Sequence, residues 1–197
     1  MGYTGATPNS LFTFRPGDVT IADLWNVLVT QFETGAEQRR TKWSDPRMRV
    51  RMRYERGTLT PDEVNDLWRF WRAMEGPSKT FDLPLFGRLT TIESVYTSPG
   101  SQLGVADTQE FTSTPGSRYN KVYIQNQAGD YDTFGVASVV DGTTINVQSA
   151  RFDNVNFSPG EPVSGVINAR FSEQVLGFDY LVALMSTIGV EFVEVSS

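Results

Sequence analysis

The sequence predicts a mainly β protein with one prominent α-helix, an α+β fold, with a turn-rich block that reads as a small antiparallel β-barrel or sandwich. Three observations predict it. Arg47-Met48-Arg49-Val50-Arg51-Met52-Arg53-Tyr54 alternates residue by residue, the period of a strand whose successive side chains point to opposite faces. The segment from Pro61 to Glu75 carries apolar residues at helical spacing behind a complete start signal. Between Gly87 and Gly160 the chain is rich in Ser, Thr, Gly, Asn and Asp and is broken into short β-branched and aromatic runs, the texture of small antiparallel sheets.

Residues 1 to 10 are small, polar and turn-prone, and read as a flexible arm. Leu11 to Phe14 reads as a short strand closed by Arg15-Pro16-Gly17-Asp18. Ile21, Leu24, Trp25 and Leu28 fit a helix whereas Trp25, Val27 and Val29 alternate, so a helix is expected over Ile21 to Trp25 and a strand over Asn26 to Phe32. The alternating strand puts Met48, Val50, Met52 and Tyr54 on a core face and Arg47, Arg49, Arg51 and Arg53 on the other.

Thr60 then suits an N-cap, Pro61 the first helical position, and Glu63 completes a capping box. Val64, Leu67, Trp68, Trp71 and Met74 form the expected core stripe, and Gly76-Pro77 ends the helix. Phe81 to Phe86 reads as a return strand that Pro84 confines to an edge.

In the turn-rich block the expected strands are Thr90 to Tyr96, Tyr119 to Gln125, Phe134 to Val140, Thr144 to Gln148 and Pro162 to Ile167, with no helix. Near the end, Phe178 to Met185 reads as a short helix or strand. Gly189 to Val195 alternates as a strand, with either Val190 and Phe192 or Glu191, Val193 and Val195 inward.

The chain has 197 residues, 39% of them hydrophobic, enough for one large domain or two small ones with a packed core. It contains no cysteine and no histidine. Disulfides, thiolate nucleophiles, Cys-based zinc sites and serine–histidine or cysteine–histidine hydrolysis therefore have no residues to work with. No apolar run reaches membrane-spanning length and the first residues lack a basic region followed by an apolar stretch, so neither membrane insertion nor a secretory leader is expected.

The net charge is −6, unevenly spread. Between Gly35 and Arg56, eight Lys/Arg face three Asp/Glu, a local +5; the remaining 9 Lys/Arg and 20 Asp/Glu give −11. A basic island in an acidic chain suits an anionic ligand, and it suits copies that pack basic face to acidic face.

Gly35-Ala36-Glu37-Gln38-Arg39 with Trp43 and Pro46-Arg47 following, the basic alternating strand ending in Tyr54, and the helix with Trp68-Arg69-Phe70-Trp71 resemble the distal tail proteins of tailed bacteriophages and gene transfer agents. Val166-Ile167-Asn168-Ala169-Arg170-Phe171-Ser172 and the final Ile188 to Val195 are similar to that family's closing segment. The likeness covers about residues 30 to 87 and 166 to 195. It implies a β-sandwich belt domain, discontinuous over 1–87 and 168–197, interrupted by an inserted β domain over 88–167.

The resemblance also implies a homo-oligomeric, six-membered ring at the tip or baseplate of a virion tail, assembled in the host cytoplasm. Such a ring joins the tail tube to the hub or fibres, with the tube, tape-measure and hub or fibre proteins as neighbours. No enzyme activity and no cofactor or metal are expected. Another tail ring, for tube completion or head-to-tail joining, and a carbohydrate-binding host-attachment module are the competing readings.

Each feature also has a plainer explanation. The arginine row matches a phosphate backbone in spacing, but the chain is acidic and no aromatic interleaves on that face, so nucleic-acid sequence recognition is not expected. The row is otherwise a solvated or salt-bridged sheet face, or a contact between subunits. Glu37, Gln38 and Arg39 lack the glycines and Lys-Ser/Thr of a phosphate loop, and together with Arg47, Arg49, Arg51 and Arg53 they are the candidate subunit contacts. Trp43, Met48, Val50, Met52, Tyr54, Val64, Leu67, Trp68 and Trp71 are the expected belt core. Tyr96, Tyr119, Tyr123 and Tyr131 are the aromatics a glycan would stack on if exposed.

Overall fold

The alternating segment does form a strand in a computed structural model of the chain, which describes residues 11–25, 27–31, 37–41, 47–55, 59–87, 89–97, 100–113, 119–148, 155–173, 180–181, 184–185 and 187–195. In chain order the first strands are β1 (Asp18–Leu24), β2 (Val27–Gln31), β3 (Glu37–Thr41) and β4 (Arg47–Glu55), followed by helix α1 (Pro61–Ala73). Then come β5 (Phe81–Pro84), β6 (Thr90–Thr91), β7 (Gln102–Gly104), β8 (Lys121–Gln125), β9 (Tyr131–Val139) and β10 (Thr144–Val147). The long β11 (Pro162–Phe171), the short β12 (Tyr180–Leu181) and β13 (Leu184–Met185), and β14 (Thr187–Glu194) complete the chain. The protein is thus mainly β and antiparallel, with one α-helix among the described residues. Trp43 and the arm expected over 1–10 lie outside the described residues.

Ten strands share one sheet, whose main path runs β1-β4-β14-β11-β8-β9-β10-β7, with β5 and β6 also on β11. Strand β11 is its axis. Its first half pairs with β6 on one side and β8 on the other, and its second half pairs with β5 and β14 in the same places. It therefore runs across residue 167, the boundary expected between the two domains. In the turn-rich half, an Ile92–Val105 bridge, with Glu93 N–H donating to Gly104 O and Ala106 N–H to Thr91 O, returns the segment around β7 to β6. The circuit β6-β11-β8-β9-β10-β7 closes on itself, which removes the edges an open sheet would expose.

The other half is a β1-β4-β14-β11-β5 layer with α1 across one face. Val50 stands opposite Phe192 and Phe171 opposite Phe192 on neighbouring strands, so all three share that face. Phe70 of α1 packs edge-on against Phe12, Phe81 and Phe171 with ring centroids 5.5, 5.0 and 6.1 Å away. Phe12 is pinned there because its N–H donates to Asp82 O (2.9 Å) and Leu11 bridges to Asp82. The short strand expected over Leu11 to Phe14 is reduced to that bridge.

The start signal of α1 works as the sequence implies. Thr60 Oγ1 accepts from Glu63 N–H at 3.3 Å, and the Glu63 carboxylate accepts from Thr60 N–H at 2.7 Å. The helix stops at Met74 because Glu75 and Gly76 both take left-handed φ, 55° and 59°. A Cβ on Gly76 would lie 3.2 Å from the Trp71 indole, so glycine serves both backbone and packing there.

Two expectations are corrected. Residues Ile21 to Trp25 are not helical: β1 pairs with β4 over seven residues, from Asp18 opposite Arg53 to Leu24 opposite Arg47. The ladder available on β4 overrides a weak local helical spacing. Trp68 is not core: it is 41% exposed, while Phe70, at 0%, takes the buried place. The turn of α1 that faces the sheet carries Val64, Leu67, Phe70 and Met74; Trp71 is half-buried at its margin, and the Arg72 guanidinium lies 3.9 Å over the Trp68 ring. Met48, Val50, Met52, Tyr54, Val64 and Leu67 are buried as expected.

Candidate assembly surface

The outer face of the β1-β4-β14 ribbon carries the basic charge. On β4 it presents Arg47, Arg49, Arg51 and Arg53, the last three exposed. Register places Asp18, Thr20, Ala22 and Leu24 of β1 and Gly189, Glu191 and Val193 of β14 beside them. The strand that looked alternating is alternating because its even positions, Met48 to Tyr54, fill the core beneath α1 while its odd positions need only remain in water.

Glu191 is the carboxylate that meets this row from within the face. It accepts from Arg51 at 2.9 Å and lies 3.2 Å from Arg49, and its second oxygen accepts from Ser172 Oγ at 3.0 Å. Partial burial pushes the Glu191 carboxyl up, but the hydrogen bonds from Arg51 and Ser172 and the charges of Arg49 and Arg51 outweigh it. The net result lies below the ordinary glutamate value. Glu191 is thus shared by Arg49 and Arg51, and Asp18 stands opposite Arg53 in the ladder. Among the described residues no carboxylate pairs with Arg53.

Glu37, Gln38 and Arg39 lie on β3, all exposed, and Arg39 Nε donates to Glu37 at 2.6 Å. Strands β2 and β3 form a two-stranded sheet of their own. Exposed apolar residues gather on the same part of the chain: Ile21 at 44%, Trp25 at 56%, Val27 at 44% and Val29 at 49%. A helical reading of Ile21 and Trp25 hides this cluster, because its exposure depends on β1 being the end of the sheet.

The glycan candidates are corrected. Tyr96, Tyr119 and Tyr123 are 2%, 5% and 4% exposed, so no sugar can stack on them. Tyr96 packs between Phe134 and Phe157 inside the closed circuit, and Tyr119 fills the space that Gly165 leaves open. Tyr123 lies under Phe86 and stacks with Tyr131, the half-buried member of the four, at 5.7 Å. Tyr96 and Tyr119 are thus part of the main core, and Tyr123 belongs to a smaller cluster with Leu11 and Val166.

No helix among the described residues is long and apolar enough to cross a membrane. No protein-family model matches the chain, and no curated protein matches it.

Proposed function

We propose that this chain is a structural subunit that assembles with copies of itself into a closed ring, in the role of a distal tail adaptor of a phage-like tail. In that role it joins the tail tube to the hub or fibre apparatus at the tail tip and does no chemistry. The observation that carries the reading is the arginine face of β4, on which Arg49 and Arg51 share Glu191 and Arg53 pairs with no carboxylate among the described residues. The likeness of residues 30 to 87 and 166 to 195 to distal tail proteins supplies the ring and its neighbours.

Identical subunits that meet through two different patches close into rings when the rotation between them divides a full turn. A basic face and an acidic remainder give such a contact its direction, because like faces repel. Negative-stain microscopy of the purified chain tests the reading. Annular particles of uniform diameter are expected, and a field of single subunits at every concentration would refute it.

A further inference from the structure

We infer that segment 11–15 is a strap, closed in this structure, that fixes the angle between the turn-rich circuit and the helical layer, and whose release lets the circuit swing about β11. The inference stands whether or not the chain forms a ring. The first observation is a seam. On one side of β11, registered pairing with β8 ends at Gly165 and pairing with β14 begins at Ala169. On the other side β5 and β6 follow each other along β11, with Leu85 N–H donating to Gly165 O and Leu89 N–H to Val163 O between them. The backbone therefore crosses from layer to circuit as a ribbon of two strands. Such ribbons twist further than wide sheets, and hinges between moving parts are a few residues at the ends of elements.

The second observation is what spans the seam. Leu11 forms a parallel bridge with Asp82 of β5, and Phe12 N–H donates to Asp82 O at 2.9 Å. From there the side chains alternate between two faces, as in any extended chain. Phe12 and Phe14 are buried in the layer, the Phe12 ring 5.0 Å from that of Phe192 and 5.5 Å from that of Phe70. Leu11 packs instead with Tyr123 of β8 and Val166 of β11, and Arg15 Nη1 donates to Gln125 Oε1 of β8 at 3.1 Å.

Five residues thus grip the layer with one set of side chains and the circuit with the other. Asp82 serves both partners too: its backbone holds the strap, while its carboxylate accepts from Lys121 Nζ of β8 at 2.8 and 2.9 Å. Beneath the seam Tyr119 Oη reaches Met48 Sδ at 3.9 Å, and a thioether is a weak acceptor. The strongest directional contacts across the seam are therefore those of the strap and the Lys121–Asp82 pair.

Pulsed electron resonance between two spin labels reads the angle, and the chain has no cysteine of its own to take a label. One pair spans the seam, Asn65→Cys on α1 with Gln109→Cys beyond β7; a second lies within the layer, Asn65→Cys with Thr20→Cys on β1. All three positions are exposed. Labelled chain is diluted into unlabelled chain, so that distances between copies do not contribute. With the strap intact, both pairs are expected to give a narrow distance distribution. In the variant combining Leu11→Ala and Arg15→Ala, the spanning pair is expected to broaden and shift while the layer pair stays as in the parent. A spanning distribution unchanged by the double substitution would overturn the inference, as would one already broad with the strap intact. Broadening of both pairs would mean general loosening and would overturn it too. Should the double variant not fold, Arg15→Ala alone, which removes one hydrogen bond from an exposed side chain, decides by the same comparison.

Discussion

Phe70→Ala and Trp68→Ala, two positions apart on α1, are expected to differ sharply in cost. Phe70 is fully buried and its ring meets Phe12, Phe14, Phe81 and Phe171 at centroid distances of 5.5, 6.2, 5.0 and 6.1 Å. Truncating a buried phenylalanine costs ~3–5 kcal/mol, from lost transfer energy plus the cavity left behind. Against a total stability of about 5–15 kcal/mol for a typical domain, that is a large fraction. At ~2–4 °C per kcal/mol for a chain of this size it lowers Tm by ~6–20 °C. Trp68 is 41% exposed, and its main interaction is the Arg72 guanidinium 3.9 Å over the ring, worth ~0.5–1 kcal/mol at an exposed site. Adding the partial burial it loses, Trp68→Ala is expected to cost less than ~2 kcal/mol. Circular dichroism melts of both variants decide it. A Trp68→Ala loss equal to or larger than that of Phe70→Ala would refute the placement of the helix face.

Glu191→Gln is expected to flatten the acid dependence of stability. The native carboxyl is held below its ordinary value of 4.5, so its contribution is complete above the unfolded value and fades as pH falls through the lower native one; urea midpoints from pH 6 to pH 3 should fall less steeply in the variant. Gly165→Ala would set a Cβ 2.2 Å from the Tyr119 ring, an overpacking cost of ~1–3 kcal/mol, whereas Gly189→Ala meets nothing within 4 Å and should melt like the parent. Thr60→Ala removes the acceptor for Glu63 N–H and should cost ~1 kcal/mol in the same assay. Arg53→Glu, which breaks no described ion pair, should leave the melt within a few degrees of the parent yet weaken self-association in sedimentation; unaltered assembly would take Arg53 out of the contact.

Much of the architecture could be read from local pattern. Strand β4 and the α1 capping box were legible because each is specified by residues a few positions apart, and the sheet needs no distant information to fix which face of Arg47–Glu55 is wet. What failed was decided at a distance. The segment 64–74 holds apolar residues at 64, 67, 68, 70, 71 and 74, so helical spacing alone admits more than one face. The choice between Trp68 and Phe70 was made by the phenylalanines contributed from Phe12, β5 and β11. Similarly, β1 is a strand because β4 lies beside it, and Tyr96 and Tyr119 are buried because they pack with Phe111, Phe134 and Phe157, residues brought together only by the closed circuit.

The arginine row was legible as a surface, but its partner was not. Glu191 lies 140 residues from Arg51 in sequence, and only the β4–β14 register brings them together. The alternation of 189–195 left two inward sets open; pairing with β4 settles it in favour of Val190 and Phe192, and puts Glu191 outside beside the arginines. The apolar cluster from Ile21 to Val29 was invisible for the same reason. Its meaning depends on β1 being the end of the sheet.

Sedimentation velocity of the purified chain over a wide concentration range, at low and at high salt, tests the central claim most directly. Association into one discrete species that loosens as salt rises is predicted, since screening weakens contacts between exposed charges. A single-subunit boundary at every concentration and both salt levels would contradict it.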